Sequence, residues 1–328
     1  MAAQSTTAQS TMALSTTALS TTAQRTAAER ATSQRDAALS GEAIDAVLAW
    51  YEENARDLPW RQGGTTPWGV LVSEIMLQQT PVVRVLPRWL AWMERWPAPA
   101  DLADAAPADV LRAWDRLGYP RRALRLQECA RSIRDLHDGR VPSDPAALRA
   151  LPGIGEYTAA AIGAFAFGRR TVVADTNIRR VIVRALTGAR FPAASYTSAE
   201  RALVASCVPE PTARSVRWNQ AVMELGALVC TARSPRCEQC PLARHGCRFL
   251  ALGRPEHAGP PRKVQAFVGT DRQMRGRIMA RLRTDGPTAR DELLLLDPAD
   301  APRVERCLAS LVADGLAVVR DDGSVDLP

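Results

Sequence analysis

From Glu42 onward, apolar positions recur at helical spacing almost to the end of the chain, while the first forty residues show no such pattern. Ile44, Val47, Leu48 and Tyr51 share one face of a helix that ends near Asn54. Pro67 opens a helix through about Gln79, with Val70, Leu71, Ile75 and Leu77 as its apolar contacts. Residues 84–96 form an amphipathic helix carrying Trp89, Trp92 and Trp96, which we assign to the core rather than to a base-stacking platform. Helices follow near 107–116 and 121–137. An Ala-rich helix over roughly Tyr157–Phe167 is small-faced enough to pack closely on its neighbours. Near the C-terminus, 271–284, 288–296 and 301–314 read as helices, and Gly315–Val319 and Gly323–Leu327 as the two strands of a wing. The pattern predicts an all-α fold ending in a small winged-helix-like domain.

Composition narrows the partners. Residues 1–40 repeat Ser, Thr, Ala and Gln with no aromatic residue, and read as a disordered low-complexity tail, with Met12 an alternative start. The 328 residues carry a formal charge of +7 and a pI near 9.4, which favours an anionic partner. The stretch 248–283 concentrates basic residues, and phosphate contact is one reading of it. No run of eighteen apolar residues and no signal peptide is present, so the expectation is a soluble cytoplasmic protein with no membrane contact, nucleoid-associated if bacterial. Cys129, Cys207 and Cys307 lie far apart and suit buried thiols rather than a disulfide framework.

Two stretches carry chemistry. Leu151-Pro152-Gly153-Ile154-Gly155 reads as a tight turn between a short helix and the Ala-rich one; Gly153 and Gly155 can take positive φ and let backbone N–H groups approach a phosphate. Asp175-Thr176-Asn177 then opens another helix with Asp175 as its N-cap. A helix–turn–helix corner with a capping Asp is the plainer reading of that segment. Further on, Cys230, Cys237, Cys240 and Cys247 form C-x6-C-x2-C-x6-C. Four thiolates in so short a span suit a tetrahedral metal or a [4Fe–4S] cluster. The six-residue gaps do not match the paired knuckles of a zinc ribbon, which favours the cluster over zinc. Glu74 and Gln78, four apart, share one stripe of an otherwise apolar helix.

Together the LPGxG turn, the downstream Asp and the four-Cys loop resemble the iron–sulfur helix-hairpin-helix DNA glycosylases. SEIMLQQT (Ser73–Thr80) and QAVMELGA (Gln220–Ala227) narrow the resemblance to the adenine-specific, MutY-type branch, over about residues 45–250. It implies a two-lobed fold: residues 41–64 and 176–250 as the cluster lobe, 65–175 as a barrel lobe with the hairpin, and 251–328 as a basic linker and winged-helix-like domain where many members continue into a Nudix-like one. It implies a monomer acting on double-stranded DNA with adenine mispaired with 8-oxoguanine or guanine. By resemblance Glu74 protonates the purine, its pKa raised by burial, and Asp175 stays ionised to stabilise the sugar cation. Tyr157 and Asn177 orient these groups, Glu224 contacts the purine edge, and Arg56, Trp60 and Arg61 line the base pocket. Gln78, Gln79 and Thr80 lie beside the mismatch, and Leu117 and Tyr119 form a wedge; Pro120 stands where the family usually has a second tyrosine. Bifunctional relatives place a lysine where Tyr157 stands, and the sole lysine here is Lys263, so the resemblance implies base removal without strand cleavage. Two alternatives remain: a relative of other base specificity, against which Glu74 argues, and a non-catalytic iron–sulfur DNA-binding regulator, against which the Glu74/Asp175 pair argues.

Overall fold

The computed structural model describes residues 38–257 and 267–328. The tail assigned to residues 1–40 falls almost wholly outside them, as do Arg262 and Lys263 of the basic stretch. The described chain forms two compact units: 38–54, 174–209 and 217–257 make one, and 55–173, 210–216 and 267–328 the other.

The second unit is built around the helix Pro67–Leu77. Thr66 caps it, accepting from Gly69 N–H at 3.2 Å, and Pro67 occupies the first turn, where its missing N–H costs nothing. Every residue from Trp68 to Met76 is buried. Gly69 allows this: a Cβ there would lie 3.2 Å from the Trp89 ring, whose indole N–H donates to Gly69 O at 2.9 Å. Trp89 belongs to the helix Val82–Arg95, and it, Trp92 and Trp96 are buried in the core as predicted. Trp92 packs edge-on against both Trp96 and Trp114. The helices Pro107–Trp114 and Arg121–Leu136 follow.

Next comes the hairpin. Asp144 caps Pro145–Ala150, accepting from Ala147 N–H at 2.8 Å, and Glu156–Phe165 packs on the Glu74 helix. Gly153 sits at φ +80, the left-handed backbone the turn requires. The same expectation for Gly155 is corrected: at φ −89, ψ −179 it is extended, because it is the N-cap of the helix that follows. The C-terminal segment in this unit has helices Asp271–Asp285, Arg290–Leu294 and Ala301–Ala313 and the antiparallel strands Val318–Val319 and Val325–Asp326. Its Met274, Ile278, Leu282 and Leu308 join the unit's continuous apolar core.

The first unit contains the helix Gly41–Asn54, the helix Thr176–Thr187 and the cysteine loop. Cys129, Cys207 and Cys307 are buried free thiols in their respective units.

Candidate functional site

Glu74, 6% exposed, stands in the interior of the Pro67–Leu77 helix, and the Tyr157 hydroxyl donates to its Oε2 at 3.0 Å. Tyr157 is in the first turn of Glu156–Phe165, so the hairpin that positions Gly153 also carries the group that orients the carboxyl.

Asp175 lies in the other unit and is satisfied differently. As N-cap of Thr176–Thr187 its Oδ1 accepts from Ile178 N–H at 2.6 Å, and its Oδ2 accepts from the Asn177 amide at 2.8 Å. Burial pushes its carboxyl up from the ordinary aspartate value, while these N–H donors and the Arg180 guanidinium pull the other way. Asn177 Oδ1 in turn accepts from Arg180 at 2.7 Å, and Arg180 donates to Cys230 O and Gly226 O, both at 2.7 Å. A hydrogen-bonded chain therefore runs from Asp175 to the first cysteine. Gly226 makes room for it, since a Cβ there would lie 2.7 Å from Asn177 Cβ. Glu224, two residues before Gly226 in the helix Thr212–Leu228, is fully buried.

The remaining predicted residues divide between surface and core. Gln79 is exposed at φ +55 and Gln78 is half-buried, so the helix end presents a strained polar tip. Thr80 is buried and works as a fastener: its hydroxyl donates toward Leu117 O at 3.2 Å and accepts from Arg122 at 2.9 Å. Trp60 is buried edge-on against Trp89, 5.6 Å between ring centroids, which is the anchoring role of a turn tryptophan. Arg56 and Arg61 flank it, half-buried. Of the two wedge residues, Leu117 is 3% exposed and lies in the core, whereas Tyr119 is 43% exposed at φ +48. The loop's apolar residue points inward because Trp114, Ala123 and Leu126 close the core beside it.

Arg122 is the residue the sequence reading passed over. Its guanidinium donates to Gln78 O at 2.5 Å, Ile75 O at 2.9 Å, Met76 O at 3.2 Å, Gly118 O at 3.1 Å and Leu117 O at 3.4 Å, besides Thr80. One side chain ties the end of the Glu74 helix to the wedge loop. All these acceptors are neutral, and burial pushes Arg122 down to about 10.

The four loop cysteines line one pocket with Arg184, Leu242 and Phe249. Among the described residues no three His, Cys, Asp or Glu side chains stand where a single ion would bind them. Four thiols lining one pocket are the donor set that a [4Fe–4S] cluster takes. Burial, then the charges of the other three thiolates, pushes Cys240 up to about 12, a repulsion that bound iron would reverse. Arg184, 1% exposed, donates to Cys230 Sγ at 3.3 Å and to Thr231 O at 2.8 Å, and so supports the loop from beneath.

Comparison with known proteins places this arrangement. Residues 72–205 match the HhH-GPD superfamily base excision DNA repair proteins, and residues 230–245 match the iron–sulfur binding domain of endonuclease III. An adenine DNA glycosylase of Mycobacterium tuberculosis is 48% identical over 283 residues, 86% of this chain and 92% of that one. Another from Mycolicibacterium smegmatis is 49% identical over 84% of this chain and 93% of that one. Among solved structures, a thermostable thymine-DNA glycosylase is 28% identical with a TM-score of 0.57, covering 63% of this chain and 95% of that one.

Proposed function

The chain belongs to the adenine DNA glycosylases of the HhH-GPD superfamily, and we propose that its substrate is duplex DNA in which adenine stands opposite 8-oxoguanine or guanine. It is a base-excision enzyme that binds DNA and releases adenine, and Cys230, Cys237, Cys240 and Cys247 hold its [4Fe–4S] cluster. Bound iron would fix the cysteine loop in shape, a structural rather than redox contribution.

A base inside a duplex must leave the stack before its glycosidic bond is reachable. Tyr119 enters the stack as the adenine leaves it, with Gly153 and Gly155 turning backbone N–H groups toward a phosphate. Glu74, as the carboxylic acid, gives its proton to adenine, and the C1′–N9 bond breaks with its electron pair going to the base. Asp175, as the anion, stabilises the positive charge left on the sugar. Water adds to C1′ and returns a proton to Glu74, so the products are free adenine and an abasic site. Asn177 orients Asp175, Glu224 contacts the purine edge, and Arg56, Arg61, Gln78 and Gln79 face the extruded base or its partner. Trp60 and Thr80 act from behind as supports. One copy of the chain suffices.

The observation that carries this reading is the 3.0 Å bond from the Tyr157 hydroxyl to Glu74. A phenol at that position orients an acid but is a poor amine substitute for Schiff-base chemistry, so the strand stays intact. Single-turnover reactions on duplexes with adenine opposite 8-oxoguanine, guanine or thymine, with and without alkali, test it. Base release at the first two, with breaks only after alkali, is expected. Breaks without alkali contradict monofunctional chemistry, and equal rates at all three contradict the stated partners.

A further inference from the structure

Among the described arginines of the 248–283 stretch, Arg275 and Arg281 are paired with carboxylates and Arg283 is half-buried, while Arg248, Arg254, Arg272 and Arg277 are exposed. Arg275 donates to Asp314 at 2.5 Å and to Ser310, Arg281 pairs with Asp285 at 2.6 Å, and burial lowers the pKa of Arg283. Charges already neutralised by neighbouring carboxylates release few counterions from DNA, which weakens the reading of this module as a phosphate clamp.

The module instead meets the loop 115–119. That loop holds Asp115 at φ +45, Gly118 at φ +83 and Tyr119 at φ +48. Two non-glycine residues in left-handed space persist only where their surroundings over-determine them. Some of the restraint is local: Trp114 donates to Gly118 O at 3.0 Å, and Arg88 pairs with Asp115 at 2.6 Å. The rest comes from the module. The Arg272 guanidinium lies 4.7 Å over the Tyr119 ring, with Arg122 also against that ring at 5.7 Å, so the phenol is flanked by two cations. Asp314, bonded to Arg275, also pairs with Arg121. Arg121 begins the helix Arg121–Leu136, whose first turn has no acid to offset the positive end of its dipole. Asp314 supplies that missing charge.

We propose that the C-terminal module belongs to the base-opening apparatus: Asp314 docks it on the helix that follows the wedge, and Arg272, stacked on Tyr119, is a positioning residue that presets the ring for insertion. This rests on Tyr119 being the wedge. Three variants of the full-length holoenzyme separate the two ideas: R272K keeps the charge and loses the planar stack, D314N raises the net charge by one, and Y119S removes the ring. Unstacking is read from 2-aminopurine beside the target adenine, affinity from equilibrium DNA binding, and chemistry from single-turnover release. R272K should lower unstacking and release together by about threefold at unchanged affinity. Arg272 is exposed, so this variant folds whatever the outcome. D314N should lower them by about fivefold, although a phosphate-attracting module would bind DNA more tightly on losing a negative charge. Wild-type unstacking in R272K and D314N, with Y119S defective, overturns the module's role and leaves the wedge standing. Wild-type unstacking in Y119S overturns the wedge itself.

Discussion

The two carboxyl groups proposed for the chemistry are held by opposite means. Glu74 is buried in the interior of a helix and takes a hydrogen bond from a hydroxyl, that of Tyr157. A hydroxyl can donate to a carboxylate or rotate to accept from a carboxylic acid, so it tolerates both protonation states. Asp175 sits at a helix start and takes its hydrogen bonds from the Ile178 and Asn177 N–H groups. Those groups can only donate, and they favour the anion. The pair teaches that an acid and an anion-stabiliser can be told apart by the donors around them. A proton-transferring group needs a partner that can reverse its role, and a fixed charge needs partners that cannot.

The largest effect should come from breaking the reversible partner of this comparison. Glu74→Gln keeps size and hydrogen bonding but cannot give up a proton, so single-turnover adenine release should fall by about 10²–10⁴-fold. Affinity for the mismatched duplex should change little, because the side chain is buried and Gln matches it in size and hydrogen bonding. A loss below about tenfold would move the acid role to another group.

How much of this could be read from the chain depended on whether the determinant was local. Helix starts announced themselves through Pro67 and Asp175, since such signals act within three residues. The tryptophan core was legible because helical periodicity fixes which face is buried, and the wing strands because Gly315 and Gly323 mark the turns before them. Gly155 was misread because extended and left-handed glycines look alike in sequence, and only the cap that forms after it distinguishes them. Leu117 was misread for a related reason: an apolar residue in a loop looks exposed in sequence, whereas this one joins the unit's continuous apolar core. Arg122 was illegible. Its acceptors are carbonyls of Ile75, Met76 and Gln78, more than forty residues upstream, and a carbonyl carries no side-chain signature. Gly226 lay inside a quoted motif, yet its reason is the Asn177 backbone lying across it.

That glycine gives the intermediate effect, and it tests the Asp175 side from behind. In Gly226→Ala the new methyl would lie 2.7 Å from Asn177 Cβ and 2.9 Å from Asn177 O, and one of these neighbours is backbone. Overpacking of this kind costs about 1–3 kcal/mol, visible as a lower urea midpoint with an unchanged m-value. Because the displaced residue is the one bonded to Asp175, release should slow as well, while Glu74 and its Tyr157 bond are untouched. A variant that is destabilised but fully active would show that Asn177 does not orient Asp175.

The smallest effect concerns stability and has the sign that a purely structural cap would not give. Burial raises the Asp175 pKa in the folded state above that of the unfolded chain. The folded protein then binds more protons than the unfolded one at pH values above the ordinary aspartate range, so this group's contribution is fully present at low pH and declines as pH rises through the raised value. At pH 7 the ionised carboxyl is therefore a net burden on folding. Asp175→Asn keeps an oxygen to accept from Ile178 N–H, since Asn caps helices as well as Asp does, and it removes the charge, at the cost of setting its NH2 against the Asn177 amide that donates to Oδ2 in the wild type. The variant should be inactive yet more stable than the wild type at pH 7. The gap should narrow as the pH is lowered and the wild-type carboxyl takes up its proton. Urea midpoints at pH 7 and pH 4.5 decide it. A variant less stable at pH 7 would mean that the Arg180 charge and the N–H donors outweigh burial, leaving Asp175 a structural cap first and a charged group for the sugar cation second.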